Sequence, residues 1–311
     1  MLRYRADLRP LAFQAIYFGL FAYAMFWLPW SWWALPVTLG LCLFAFTGAV
    51  QTHNAVHSPI FRARWLNKLY QVGLTLTYGH PVSSYVPGHN LSHHKHTQTG
   101  RDIMRTSKAS FRWHLLNLFG FFFRIAPATT RADIQYIAAT RHQHPRWFRQ
   151  LLFEAGVLVL VTGVLLYLDW VRAVLFWVVP HLYAQWGIVT MNLLQHDGCD
   201  QDHAYNHSRN FVSPLLNWWT MNNGYHGIHH ERPGTHWSRL PELHARLYQP
   251  HVHPALDEPS MIAYVWRTFV LNRRIDYLGR PVPVVPPGRD EPWIPRIEEI
   301  PDDLGAERLP T

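Results

Sequence analysis

Histidine is the residue type whose number and spacing could do chemistry in this chain. The 311 residues include 21 histidines, and nine of them fall into four clusters. The clusters are His53 and His57; His89, His93 and His94; His196; and His226, His229 and His230. Imidazole is the commonest metal ligand in proteins. The clusters therefore predict a metal centre.

The spacing within the clusters indicates two metal ions. Side chains three or four residues apart project from one face of a helix, so His53 and His57 can reach one ion. Adjacent residues diverge by roughly 100° around a helix of 3.6 residues per turn. His93 and His94 can therefore serve two separate ions, and so can the adjacent pair that closes the last cluster. A dinuclear centre follows from this pattern.

Ligand type leaves the identity of the metal open, because imidazole binds zinc, copper, iron and nickel. The zinc hydrolase motif H-E-x-x-H, whose glutamate is the general base, does not occur in the sequence. Copper sites often use cysteine or methionine, and the chain has only 2 Cys and 6 Met. Iron is favoured, and a zinc-dependent membrane hydrolase remains the alternative of a different class.

Four apolar segments must position these clusters. A membrane-spanning helix needs roughly 20 predominantly apolar residues, and the segments 11–28, about 33–51, 151–168 and 173–194 qualify. Pro29 breaks the first pair, and the polar stretch 169–172 breaks the second. We predict an all-α membrane protein with four transmembrane helices in two hairpins. A helical cytosolic cap would complete the His-ligated di-metal site.

The distribution of positive charge predicts the orientation. Of 28 Lys and Arg, 13 lie in 52–150, three precede the first segment, 11 follow the last, and only Arg172 lies in a hairpin turn. Positive loops remain cytoplasmic, so we expect both termini and the metal site in the cytoplasm. The bacterial inner membrane is the expected location, although the topology alone would also suit an ER membrane. The basic residues flank apolar segments, which suggests lipid headgroups rather than nucleic acid as their partners.

The expected domain organisation is simple. Residues 1–260 would form the catalytic membrane domain, and 261–311 a cytosolic extension, rich in proline and poorly ordered from about 278. Two shorter apolar stretches, 66–82 and 113–126, cannot span a bilayer. We expect interfacial or re-entrant helices there.

Three of the clusters resemble the histidine boxes of the membrane fatty acid desaturase superfamily, which also contains hydroxylases and carotenoid ketolases. The matching motifs are His53-x-x-x-His57, His89-x-x-x-His93-His94 and His226-x-x-His229-His230. The resemblance covers about residues 11–250, including the order of the boxes and the two hairpins. The context of the third box, from Asn223 to Pro233 with a later Leu240-Pro241, is similar to that of sphingolipid and acyl desaturases.

The resemblance implies further ligands and partners. His196 matches an additional family ligand at the end of the last span. Asn192 matches an asparagine that contacts the metal through water in acyl-CoA desaturases. The superfamily also implies two iron ions, dioxygen, a lipid or acyl substrate, and an external electron donor of the ferredoxin or cytochrome type.

The sequence thus favours an oxidoreductase that desaturates a fatty-acyl or related lipid chain, with a hydroxylase or carotenoid ketolase as the alternative. A metal transporter is disfavoured, because it would need ionisable groups inside the spans. Three carboxylates could accept the second ring N–H of ligand histidines, or could be solvated loop charges. They are Asp102, Asp197 and Glu231.

Overall fold

The computed structural model describes residues 2–296, which are mainly helical. The α-helices are α1 Leu8–Phe26, α2 Ala34–Ala55, α3 Arg64–Tyr78, α4 Val82–Val86, α5 His94–His96, α6 His114–Thr140, α7 Pro145–Ala173, α8 Val179–His196, α9 Pro214–Trp219, α10 His226–Glu231, α11 Leu240–Leu243 and α12 Met261–Val265. The π-helical segments are Pro87–His93, Val174–Val178, His244–Tyr248 and Trp266–Val270, and the 3-10 turns are Arg5–Asp7, Thr106–Lys108, Trp237–Arg239 and Pro254–Leu256. Strands β1 Asn210–Phe211 and β2 Asp257–Glu258 pair in parallel.

Helices occupy all four apolar segments, although not all of them qualify as spans. Between residues 2 and 296, two helical runs are long and apolar enough to cross a membrane, Ala34–Ala55 and Pro145–His196. The second run has 52 residues but is not one straight helix, because Asp169 has non-helical backbone angles (φ -158, ψ 95). The mainly helical fold is confirmed, with one pair of short strands in addition, and the number of four spans stays a prediction.

Arg172 joins the two hairpin turns. Its guanidinium donates to the carbonyl oxygens of Ala24 and Leu28, each at 2.7 Å, and lies 4.9 Å from the Trp30 ring centre. The last carbonyls of a helix have no partner within the helix, so Arg172 satisfies groups at the end of α1. The turn after α1 and the bend at Asp169 therefore lie at the same end of the molecule.

Helices α2 and α8 make the most extensive helix–helix contact in residues 2–296. Small residues allow the close packing around them. A Cβ atom on Gly187 of α8 would lie 2.7 Å from the Phe46 ring of α2, and one on Gly48 of α2 would lie 2.5 Å from Thr77 of α3. Because these helices are packed so tightly, their C-terminal ends are held together. Those ends carry the first and third histidine clusters.

The cap is built from the loop between α2 and α7 and from the segments after α8. The predicted short helices at 66–82 and 113–126 are present as α3 and α6, but α6 has 27 residues and continues to Thr140. It lies along α8, where the Trp186 indole N–H donates to the Leu118 carbonyl at 3.2 Å. Proline within an α-helix removes one backbone donor, and α6 nevertheless continues through Pro127.

The C-terminal segment packs on the same core as the rest of the chain. Phe269 stacks on His114 with ring centres 4.2 Å apart. Further along, the extended tail buries Trp293, which stacks on Tyr136 with ring centres 6.1 Å apart. The part of the expected poorly ordered tail that lies at 297–311 falls outside the described residues.

Gly79 gives a test of the packing between α3 and α8. It ends α3 with φ +76, and a Cβ there would lie 2.3 Å from the His181 ring. We expect Gly79→Ala to destabilise the protein by more than about 1 kcal/mol, because both the left-handed backbone and the contact are unfavourable. Thermal unfolding in detergent would show a lower midpoint.

Gly19→Ala is the matched control, since a Cβ at this exposed position in α1 meets nothing within 4 Å. Alanine has the higher helix propensity, so this variant should unfold at the same temperature or above. Equal midpoints for both variants would contradict the packing described for Gly79.

Candidate metal centre

The nine clustered histidines come together in two groups. One group contains His53, His57, His89, His94 and His229, and the other contains His93, His196, His226 and His230. Within each group, one ring nitrogen per residue lies within 4.8 Å of all the others. Each group could hold a metal ion. In the part of the chain that the structure describes, neither group includes a carboxylate or a cysteine.

The adjacent histidines divide between the groups as their helical spacing predicts. His94 belongs to the first group and His93 to the second, and the pair His229 and His230 divides in the same way. The π-helical segment Pro87–His93 leads into α5 at this point. It brings His89 and His94, five residues apart, to an Nε2–Nε2 distance of 3.1 Å. Wider helical turns of this kind often occur at functional sites.

The distances between ring nitrogens fit a shared ion. His229 Nε2 lies 3.2 Å from His94 Nε2. In the other group, His226 Nε2 lies 2.9 Å from His196 Nε2 and 3.1 Å from His230 Nε2. A metal–nitrogen bond of about 2.0–2.1 Å places neighbouring ligand nitrogens roughly 3 Å apart. The three distances match that separation.

Buried nitrogens without partners support the same interpretation. The Nε2 atoms of His53, His57 and His93 are buried and have no hydrogen-bond partner among residues 2–296. Leaving such an atom unsatisfied costs on the order of 1–3 kcal/mol. A metal ion at the centre of each group would satisfy them. The donor set of each group therefore fits a transition metal that prefers imidazole.

The electrostatic environment disfavours the charged form of several of the clustered rings. Burial and the neighbouring imidazoles hold the pKa of His89, His229 and His230 well below the usual histidine value. The pKa values of His57, His94 and His226 are lowered for the same reasons. A neutral imidazole has a free lone pair, and this is the form that binds metals.

Two polar groups fix the orientation of rings in the second group. His93 Nδ1 lies 2.9 Å from Asp102 Oδ2, and His196 Nδ1 donates to the carbonyl of His207 at 3.0 Å. In both rings Nε2 is thus left to face the group. Burial opposes ionisation of Asp102, but His93 and the amides of Gln98 and Met104 outweigh it and lower the pKa of this carboxyl. Asp102 therefore contacts a ring of the second group.

The other two carboxylates contact different partners. Asp197 accepts from Arg274 Nε at 2.9 Å and lies 3.4 Å from His114 Nε2. Glu231 lies 3.4 Å from His207 Nε2. Across the described part of the chain, neither is hydrogen-bonded to one of the nine rings, in contrast to the sequence-based expectation. The physical reason is that segments distant in sequence supply a nearer cation or ring to each carboxylate.

Asn192 lies at a small cavity between the two groups. The cavity has a volume of about 20 Å³ and is lined by His53 and His89 from one group and His93 and His226 from the other. A volume above roughly 10–15 Å³ can hold one water-sized molecule. The amide nitrogen of Asn192 donates to the Met104 carbonyl at 2.7 Å, so a backbone contact fixes this side chain at the cavity wall.

Some residues at the site carry no signal in the sequence. His207 contributes through its backbone carbonyl, which any residue type could supply, and its ring lies 5.7 Å from that of His230. Tyr85 and Met104 line the small cavity but belong to no motif. Only the tertiary contacts bring them to the centre.

The comparisons with known proteins agree with this geometry. The model of a protein family described as fatty acid desaturase matches residues 28–257. The match spans most of the chain and includes all nine histidines. A comparison with curated proteins finds no match. On the family match, this chain belongs to the fatty acid desaturase family.

Proposed function

We propose that the protein is a membrane-bound, non-haem di-iron oxidoreductase that uses dioxygen and two electrons to desaturate a fatty-acyl or related lipid chain. The observation that carries the proposal is the division of nine histidines into groups of five and four around a small shared cavity. Family membership adds the class of chemistry. Iron is the metal of the proposal, with His53, His57, His89, His94 and His229 as ligands of one ion and His93, His196, His226 and His230 as ligands of the other.

The protein's own residues prepare the site for that chemistry. The two ions would supply activation of dioxygen and removal of hydrogen from an unactivated C–H bond. Asp102 and the His207 carbonyl hold two rings in the orientation that presents Nε2 to the centre. Apolar side chains such as Ile188 and Met191 line the small cavity with Asn192, and they exclude bulk water. Asn192 stays a proposed ligand through water.

The cellular setting is also part of the proposal. We propose four spans, with α1, α2, the first arm of α7 and α8 crossing the bacterial inner membrane. Both hairpin turns lie at one end of the molecule, as the contacts of Arg172 support. The histidines lie at the other end, where α2 and α8 both have their C-termini. The termini and the centre would be cytoplasmic, where a ferredoxin or cytochrome-type protein can deliver electrons.

The orienting contact of Asp102 leads to a prediction about metal affinity. Loss of a carboxylate behind a histidine ligand typically weakens metal binding by about 10–100-fold. We expect this loss for Asp102→Asn, measured as iron retained against a series of chelator concentrations. Asp202→Asn, an exposed change, is the control and should match the wild type. Unchanged retention in a folded Asp102→Asn protein would argue against the positioning role.

The two ligand groups predict two separable losses of iron. Wild-type protein should contain about two irons per chain, one for each histidine group. His229→Ala and His226→Ala each remove a nitrogen from a different group, and each should reduce iron content and abolish product. His96→Ala is the control, because this histidine follows the second box but belongs to neither group. Iron analysis and mass spectrometry of cellular lipids supply both readouts.

The chemical identity of the product distinguishes desaturation from the hydroxylase and ketolase reactions. New double bonds in the lipid support desaturation, whereas only hydroxylated or keto products would replace it with the hydroxylase or ketolase reaction. Product formation without oxygen, by protein that contains zinc, would overturn the oxygenase assignment in favour of a hydrolase.

The four-span topology predicts which loops are accessible from each side. In a variant without Cys42 and Cys199, Ser31→Cys marks the first hairpin turn and Gln143→Cys the segment between α6 and α7. A membrane-impermeant maleimide added to intact cells should label the first position only, since positive loops remain cytoplasmic. Labelling of Gln143→Cys from outside would contradict the proposed orientation.

A further inference from the structure

A second cavity extends from the metal centre. It has a volume of about 130 Å³ and lies between α6, α8 and the segment around α4. Four of its lining residues also line the small cavity between the histidine groups, namely Tyr85, His89, Met104 and Ile188. A molecule in the larger cavity would therefore have part of its structure beside His89.

The wall of this cavity changes character along α6. Phe122 and Ala126 are apolar, whereas the next turns contribute Thr129, Thr130 and Asp133. His80 and Ser84, from the segment before the second box, add to the polar lining. Pockets of this composition use a few polar groups to fix the orientation of a mainly apolar ligand.

The threonine hydroxyl groups of the polar lining can only accept further hydrogen bonds. Thr129 Oγ1 donates to the Ile125 carbonyl at 3.0 Å, and Thr130 Oγ1 donates to the Ala126 carbonyl at 2.9 Å. A hydroxyl has one hydrogen and two lone pairs. With its hydrogen committed to the helix backbone, each threonine offers a ligand only acceptor lone pairs.

His80 and Asp133 add two acceptors. His80 Nδ1 lies 3.2 Å from both the Pro81 carbonyl and the Ser84 hydroxyl oxygen. The carbonyl can only accept, and Ser84 Oγ donates to that carbonyl at 3.0 Å, so a hydrogen on Nδ1 satisfies these contacts and leaves Nε2 as an acceptor. Asp133 Oδ1 is buried and has no hydrogen-bond partner within residues 2–296. Burial raises the pKa of Asp133 to about 7, as expected for a carboxyl that lacks a donor.

The charge of the lining excludes an anionic ligand group. Among the described residues, no lysine or arginine lines this cavity, and Asp133 is its one acidic side chain. At the α6 end of the cavity, a carboxylate or phosphate group would meet the threonine acceptors and the Asp133 carboxyl without any counter-charge. A group that donates hydrogen bonds would instead satisfy Asp133 and the acceptors around it.

We propose that this cavity binds the polar group of the lipid substrate, and that this group is a hydrogen-bond donor, a hydroxyl or an amino group, rather than a carboxylate or phosphate. The proposal rests on the proposed function, because it makes the ligand of the cavity the substrate of the metal centre. Because the two cavities share His89, substrate carbons close to the polar group would then lie beside His89. Asp133 is the main specificity-determining residue.

Equilibrium binding of three probes tests this proposal. Dodecanol, dodecylamine and dodecanoate share one chain length and differ in the polar group. They are added without reductant to the metal-loaded full-length protein in detergent, at pH 8, where Asp133 is mostly ionised. We expect the alcohol, the amine or both to bind at least about tenfold more tightly than the acid, which corresponds to one well-placed hydrogen bond to a charged group.

Asp133→Asn assigns the preference to the carboxylate. The amide has nearly the same shape, but it replaces an acceptor by a donor. Binding of the donor-headed probe should fall by about tenfold, whereas binding of dodecanoate should be unchanged or stronger. Asp202→Asn removes the same charge at an exposed position and should leave the order of the probes as in the wild type. If Asp133→Asn does not fold, Thr129→Val removes another acceptor at the same end and should weaken donor-headed probes selectively.

Three results would overturn the proposal: equal binding of alcohol, amine and acid by the wild type, no binding of any probe, or an equal effect of Asp133→Asn on all three. These results do not depend on turnover, since no electrons are supplied. A binding preference without any oxidised lipid in cells would leave the cavity assignment intact and refute the proposed function. Oxidised lipid without a binding preference would support the proposed function and refute the cavity assignment.

Discussion

The convergence of nine imidazoles at one end of the helices is the constraint on which the rest of this structure depends. Buried ring nitrogens that face one another without a partner are unfavourable, and several Nε2 atoms here have no partner other than a potential ion. The fold must therefore hold these rings together before or while a metal binds. Helix α2 packs tightly against α8, with Gly187 in contact with the Phe46 ring. This packing holds the helix ends that carry His53 and His196 together. The cap supplies the remaining rings from segments that could not span a membrane.

Contacts at both ends of the helices support this arrangement. At the hairpin end, Arg172 binds carbonyl groups at the end of α1 and so connects the two helical pairs. At the histidine end, Asp197 follows directly after His196 and is paired with Arg274. That buried pair fastens the C-terminal segment to the end of α8. Breaking such a pair would leave one charge buried without compensation, which is costly, so the tail is part of the cap rather than an appendage.

The cavities connect the centre to substrate selection. The small cavity between the histidine groups has room for a water-sized molecule, while the larger one begins at the same His89 and ends among acceptors. An apolar stretch between a metal centre and a polar recognition group would determine which carbons reach the metals. This arrangement separates two tasks, since the histidines and Asp102 serve the chemistry and α6 serves recognition. Helix α6 contributes no residue to either histidine group, so its polar residues can differ without disturbing the proposed metal centre.

The sequence by itself predicts the features of this protein that depend on local helical geometry. Helical periodicity determines that adjacent residues such as His93 and His94 diverge, so their division between two groups was predicted before any fold was known. The positions of the four apolar helices are predicted as well, and contact with a clustered histidine is one of the two interpretations that the sequence leaves open for Asp102. Tertiary structure decided what periodicity cannot encode. Asp197 and Glu231 lie with Arg274 and His207 because the chain brings distant segments to them, and the π-helical turn at Pro87–His93 sets which rings of the second box share a group. The cavity beside Asp133 likewise exists only because α6 packs along α8. Such contacts depend on the packing of elements far apart in the chain, which local spacing does not specify.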